Sequence, residues 1–68
     1  MENLAAVNNF LKSRNNDANF QNYINQIKMT NMNDTWKERQ VTSFLEKNYK
    51  NFINPPSLVK EIAHYALL

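Results

Sequence analysis

Glu61 and His64 stand three residues apart in a stretch predicted to be helical, so their side chains would share one helix face. A carboxylate and an imidazole in that arrangement could act as an acid–base pair or supply two ligands of a metal site. A metal site needs further ligands, and the sequence has one histidine, no cysteine and no other carboxylates spaced to join this pair. We therefore interpret these residues as part of a solvated polar strip and predict no catalytic residue, no metal and no cofactor.

The absence of glycine from all 68 residues limits the chemistry further. Loops that cradle the phosphates of nucleotides depend on glycine, because the backbone must turn sharply and approach the phosphate closely. Neither the P-loop nor the dinucleotide-binding fingerprint can therefore be present. We predict that the chain is not an enzyme and has no small-molecule substrate.

A cluster of basic residues indicates a second kind of chemistry. Arg39, Lys47 and Lys50 share the polar side of the third predicted helix. Asparagine is abundant in the chain and can pair with adenine. The net charge is only +2, however, and Glu46 interrupts the basic strip. We keep a small DNA- or RNA-binding regulatory protein as the alternative interpretation.

Surplus apolar residues favour a different function. A chain of about 60 residues buries only about 60% of its unfolded surface, so some large apolar side chains are expected to stay exposed. Our candidates for partner contacts are Trp36, Met32, Val59 and Tyr65. We predict a non-catalytic protein–protein interaction module, of the adaptor type, that binds a helix or short peptide of a partner or self-associates.

The positions of the chain breaks predict the elements that carry these residues. Without glycine, breaks must come from Asn, Asp, Ser, Thr or Pro, and they are expected near residues 14–16, 29–34 and 54–56. Apolar residues between the breaks recur at helical spacing. The prediction is an all-α fold, a compact bundle of four short helices arranged as two helical hairpins, with a central final helix. The helices are expected at about 4–13, 18–29, 36–51 and 58–67.

Several residues are typical of helix starts and turns. Thr35 and Glu38 fit a capping box, in which each side chain accepts from a backbone amide of the first turn. Asn31 or Asn33 can adopt a left-handed conformation in the loop before it at lower cost than most residues. The other expected N-caps are Asn3, Asp17 and Ser57.

Length and composition bound the organisation of the chain. Residues 1–68 are expected to form a single helical domain. The start of the chain lacks a basic segment followed by an apolar run, so we predict no secretory signal. Together with the absence of cysteine, this favours an intracellular protein, cytoplasmic or nuclear. The final Leu67-Leu68, with no polar residue after it, favours either a piece of a longer protein or a final helix that docks on another surface.

Overall fold

A computed structural model describes residues 2–68, with side chains from Leu4 onward. Four α-helices follow one another along the chain: α1 (Glu2–Ser13), α2 (Ala18–Met29), α3 (Asp34–Asn48) and α4 (Leu58–Ala66). A single turn of 3₁₀ helix, Lys50–Phe52, lies between α3 and α4. The predicted all-α bundle of four short helices is confirmed. The predicted cap at Asn3 lies outside the side chains that the structure describes.

The second helix forms as its sequence predicts. Asp17 is extended, and its carboxylate accepts a hydrogen bond from the Phe20 amide at 3.1 Å. That bond satisfies one of the amides left free at a helix start. Phe20, Ile24 and Ile27 then lie on the buried face of α2. The predicted cap at Asp17 and the predicted apolar stripe are both confirmed.

The start of α3 differs from the prediction. The N-cap is Asn33, whose side-chain oxygen accepts from the Trp36 amide at 2.8 Å. The capping box at Thr35 is wrong, because the helix already begins at Asp34 and Thr35 lies inside its first turn. Neither Asn31 nor Asn33 adopts the left-handed conformation that asparagine tolerates. Asn33 is extended, and none of the described residues has a positive φ.

The end of α3 comes earlier than position 51. The helix ends at Asn48, and the Tyr49 amide still donates to the Leu45 carbonyl at 2.8 Å. Tyr49 leaves helical geometry at φ −129° and ψ 15°, with its side chain buried in the core. The 3₁₀ turn then leads into the Asn54–Pro55 peptide, which is cis.

The final helix begins at Leu58, as predicted, and ends at Ala66, one residue early. Ser57 holds the N-cap position, but its side chain makes no capping hydrogen bond. Its backbone is already helical, at φ −64° and ψ −18°, which departs from the extended geometry that an N-cap normally adopts. The Leu58 amide instead donates to the Pro55 carbonyl at 3.0 Å, so the proline turn itself satisfies an amide of the helix start.

The core lies between α4, which packs on α1 and α3, and α2, which packs on the other side of the bundle against α3. The closest backbone packing is between α3 and α4, between α1 and α4, and between α2 and α3. The first two helices approach each other less closely and meet through the edge-to-face rings of Phe10 and Phe20, 6.0 Å apart. The buried residues of α4, which make it central, are Leu58, Val59, Ile62 and Ala63.

The chain is packed as tightly as a folded domain of its length. Its Cα radius of gyration is 11.2 Å, against the roughly 11 Å expected for a folded chain of 68 residues. Among the described helices, none is long and apolar enough to cross a lipid bilayer. The intracellular location stays a prediction.

Candidate functional site

Two hydrogen bonds establish how α2 and α3 run. The Lys37 ammonium donates to the Lys28 carbonyl at 3.0 Å, and the Tyr23 hydroxyl donates to the Gln40 carbonyl at 3.0 Å. The rings of Tyr23 and Phe44 stack with their centroids 3.9 Å apart. Higher numbers in α3 therefore face lower numbers in α2. The two helices are antiparallel, and the end of α2 lies beside the start of α3.

The end of α4 reaches the same place. His64 Nδ1 lies 2.9 Å from Glu38 Oε2, which joins the last turn of α4 to the first turns of α3. Both side chains are substantially exposed, so this contact contributes little to stability. The sequence analysis placed Glu61 and His64 on one polar strip of α4, and His64 also contacts Glu38 on the neighbouring helix. Within the described residues, no three His, Cys, Asp or Glu side chains lie close enough to hold a metal.

Large exposed apolar side chains gather at this end of the bundle. Arg14 directly follows α1 and lies beside Tyr49, which directly follows α3. Both helices therefore end at the opposite end of the bundle, and α1 begins at the same end as α3. Of the six large apolar side chains that are exposed among residues 4–68, five belong here. We call this set the apolar end: Leu4 (41% exposed), Met29 (85%), Met32 (47%), Tyr65 (40%) and Leu68 (74%).

The residues predicted to contact a partner divide into three groups. Met32 and Tyr65 belong to the apolar end and are exposed. Trp36 is half-buried and packs against the core beside them. Val59 does not fit the prediction, because it is 3% exposed and lies inside the core on the face of α4 that meets its neighbours. A helix with apolar residues on most sides hides this distinction in the sequence.

Sequence reasoning missed Leu4 and Leu68 as exposed residues. Leu4 fits the apolar spacing of α1 together with Val7 and Leu11, which is typical of residues that pack inward, yet it is 41% exposed. No signal in the sequence distinguishes Leu4 from the buried Val7.

The three basic residues of the nucleic-acid alternative do not form one helical strip. Arg39 and Lys47 are exposed on α3, about 12 Å apart along its axis. Lys50 lies in the 3₁₀ turn, after α3 has ended. Arg39 instead shares a small cavity of about 220 Å³ with Lys60 of α4, and Glu38 also lines it. Lys50 is therefore separated from the helix that carries Arg39 and Lys47, and the acidic Glu38 lies beside Arg39 and Lys60.

The opposite end of the bundle holds a compact polar and aromatic cluster. Arg14 Nη1 lies 3.2 Å from Asp17 Oδ2, and the Tyr49 hydroxyl donates to the same oxygen at 2.7 Å. The Arg14 guanidinium lies 5.5 Å from the Tyr49 ring centroid and 5.6 Å from that of Phe52. These contacts tie the α1–α2 turn to the end of α3.

The cluster shifts the ionisation of its members. Hydrogen bonds from the Tyr49 hydroxyl and the Phe20 amide lower the pKa of Asp17 below 3.8. Burial raises the pKa of Tyr49 above 10.0, and the hydrogen bond to Asp17 adds to the rise. Asp17 is therefore ionised and Tyr49 protonated at neutral pH, which is the state in which their hydrogen bond exists.

A cavity of about 440 Å³ opens beside this cluster, between α1, the 3₁₀ turn and α4. Its volume lies within the roughly 300–1,000 Å³ of small-molecule sites. Arg14 is its only charged lining residue among those described. The other lining residues are Ala6, Asn9, Phe10, Ser13, Phe52, Ile53, Asn54, Leu58 and Ile62.

The chain was compared with protein families, curated proteins and solved structures. No family model matches it, no curated protein matches it, and no solved structure matches it. The functional conclusions therefore rest on the residues and geometry described above.

Proposed function

We propose that the protein is an interaction module that binds an amphipathic helix or short peptide of a partner protein at its apolar end. The observation that carries this proposal is the collection of five exposed apolar side chains, from α1, the α2–α3 region and the end of α4, at one end of the bundle. Monomeric proteins rarely leave large contiguous apolar patches in water without a function for them.

The side chains at this end suit a peptide partner better than a second copy of the chain. Met29 ends α2 and Met32 lies in the loop that leads to α3. Methionine side chains adapt readily to differently shaped apolar surfaces. The exposed residues come from the ends of elements, so they offer no long seam along one helix for symmetric helix pairing. Self-association is therefore an outcome to be tested.

The charges around the apolar end are mixed. Lys28 and Lys37 lie at the junction of α2 and α3, while Asp34 and Glu38 lie in the first turns of α3. Because charges of both signs surround the apolar end, they do not select strongly for a partner of either charge. We expect apolar docking to supply most of the affinity, and binding to change little as salt concentration rises.

The experiment begins with a displayed library of amphipathic helical peptides. Peptides that bind the protein are retained, and those that also bind a Met32→Lys/Tyr65→Lys double variant are discarded. We expect Tyr65→Ala and Trp36→Ala to weaken the selected peptides by tenfold or more, because aromatic residues dominate interface energies. Thermal unfolding of each variant separates lost binding from lost folding.

Phe52→Ala is the matched control. Phe52 is an exposed aromatic residue like Tyr65, at 66%, but lies at the opposite end of the bundle. Its replacement should leave peptide affinity unchanged. Tyr65→Ala and Trp36→Ala variants that fold and bind as tightly as the parent would remove the proposal. A concentration-dependent dimer, detected by light scattering and disrupted by Tyr65→Lys, would show that the apolar end binds a second copy of the chain instead of a partner peptide.

A salt titration distinguishes nucleic-acid binding, the alternative function, from peptide binding at the apolar end. Binding to mixed DNA or RNA releases counterions, so its affinity must fall steeply with salt concentration. If Arg39, Lys47 and Lys50 form a nucleic-acid surface, a triple Gln variant should lose that binding. The apolar-end proposal predicts no salt-sensitive nucleic-acid binding and no effect of the triple variant on the selected peptides.

A further inference from the structure

We propose that the cavity beside Arg14 is a binding site for a small anionic amphiphile, a molecule with an apolar body and a carboxylate headgroup. The site is separate from the apolar end. Its walls combine apolar side chains from α1, the 3₁₀ turn and α4 with one fixed cation. That combination matches the general form of ligand sites, which are mostly apolar with a few well-placed polar groups.

The cation is held in position before any ligand arrives. Asp17 contacts Arg14 Nη1 on one side, and aromatic rings flank the guanidinium with centroids 5.5–6.0 Å from its central carbon. Gln21 fixes the backbone there by donating to the Arg14 carbonyl at 2.9 Å. A cation restrained in this way loses little conformational entropy when it binds an anion.

Donors remain on Arg14 after its contact with Asp17. A guanidinium carries five N–H donors, and Nη1 is the atom that meets the carboxylate. Asp17 and the Tyr49 hydroxyl are the side-chain hydrogen-bond partners of the guanidinium among the described residues, which leaves some of its five donors for a ligand. The Nε–H is buried and lacks a protein acceptor, but its burial keeps it from a ligand. We assign the headgroup contact to the terminal nitrogens, which remain partly exposed.

The charge of the cavity wall indicates the sign of the ligand. Asp17 is not a lining residue, and Arg14 is the only charged side chain that the described wall presents. A half-buried cation such as Arg14 attracts an anion more strongly than fully water-exposed lysines do, because the surroundings screen its charge less. Asn9, Ser13 and Asn54 add neutral polar groups at the wall. The apolar part of the ligand would contact Ile53, Leu58 and Ile62.

Octanoate and octanol test the assignment as a matched pair of probes, since they share an apolar chain and differ in charge. Each is titrated into ¹⁵N-labelled protein at neutral pH. We expect saturable octanoate shifts at the amides of Asn9, Phe52 and Ile53. A charge-assisted hydrogen bond should make octanoate bind about tenfold more tightly than octanol. Equal affinity for the two probes, or no saturable shift with octanoate, overturns the proposal.

Two pairs of variants locate the site. Arg14→Gln should remove the preference for octanoate, whereas Lys12→Gln, which removes an exposed cation two residues earlier in α1, should not. Because Arg14→Gln also loses contacts of the fold, Asn9→Trp provides a second test by filling the cavity mouth. Asn8→Trp is its control, since Asn8 is exposed on α1 but does not line the cavity. Octanoate affinity that survives in a folded Asn9→Trp variant would contradict this location.

Discussion

Replacing Asn33 with alanine tests how a chain without glycine starts its longest helix. The Asn33 side chain accepts from the Trp36 amide at 2.8 Å, and alanine leaves that amide without its protein acceptor. Loss of an N-cap of this kind costs about 1 kcal/mol. In a domain of this size, that loss lowers Tm by about 4–8 °C. Circular dichroism at 222 nm during heating measures the shift directly.

Thr35→Ala is the matched comparison, because Thr35 is the residue that the sequence pattern favours as the cap. Thr35 lies inside α3 in the structure, where alanine is the better helix former. We expect its Tm to stay the same or rise slightly. Asn33→Asp keeps an acceptor at the cap and should retain the parent Tm. A Thr35→Ala loss as large as that of Asn33→Ala would refute the observed cap.

Three further predictions concern the interior of the bundle. Tyr23→Phe keeps the ring stacked on Phe44 but removes the 3.0 Å hydrogen bond to the Gln40 carbonyl. We expect the free energy of unfolding, measured in urea, to fall by about 1 kcal/mol. An unchanged free energy would contradict that hydrogen bond. Ile62 is 1% exposed, and Ile62→Ala should lower the free energy of unfolding by about 2–5 kcal/mol in the same assay. A loss below about 1 kcal/mol would contradict its place in the core. Since the folded pKa of Asp17 is lowered, its contribution is present above pH 3.8 and is lost as pH falls through the folded value. In the Asp17→Asn variant, Tm should therefore fall less between about pH 5 and 2 than it does in the parent protein. An equal fall in both proteins would contradict the lowered pKa of Asp17.

The helical bundle could be predicted from sequence because its breaks have few alternatives. With no glycine, Asp17 and the Asn54–Pro55–Pro56 segment had to supply the ends of elements, and the apolar spacing of Phe20, Ile24 and Ile27 could fit only a helix. Boundaries were less predictable. Asn33 and Thr35 are both good caps, and the choice between them depends on where the α2–α3 connection leaves the backbone extended.

The sites were harder to predict, because they depend on which elements meet. Arg14 and Tyr49 are 35 positions apart in the sequence, and nothing in either segment indicates that the guanidinium lies 5.5 Å from the ring centroid. The cavity beside them is likewise formed by three separate elements. Val59 and Tyr65 look alike as apolar residues of one helix, yet the neighbours of α4 cover the first and leave the second exposed.

The most direct measurement of the central claim is a map of amide chemical shifts when a library-selected helical peptide is titrated into the ¹⁵N-labelled protein. Our account predicts shifts concentrated in residues 29–36 and 64–68, and their loss in the Tyr65→Lys variant. Residues 49–54, at the opposite end of the bundle, should be unaffected. Shifts centred on Arg39, Lys47 and Lys50, or on the cavity beside Arg14, would contradict the assignment of peptide binding to the apolar end.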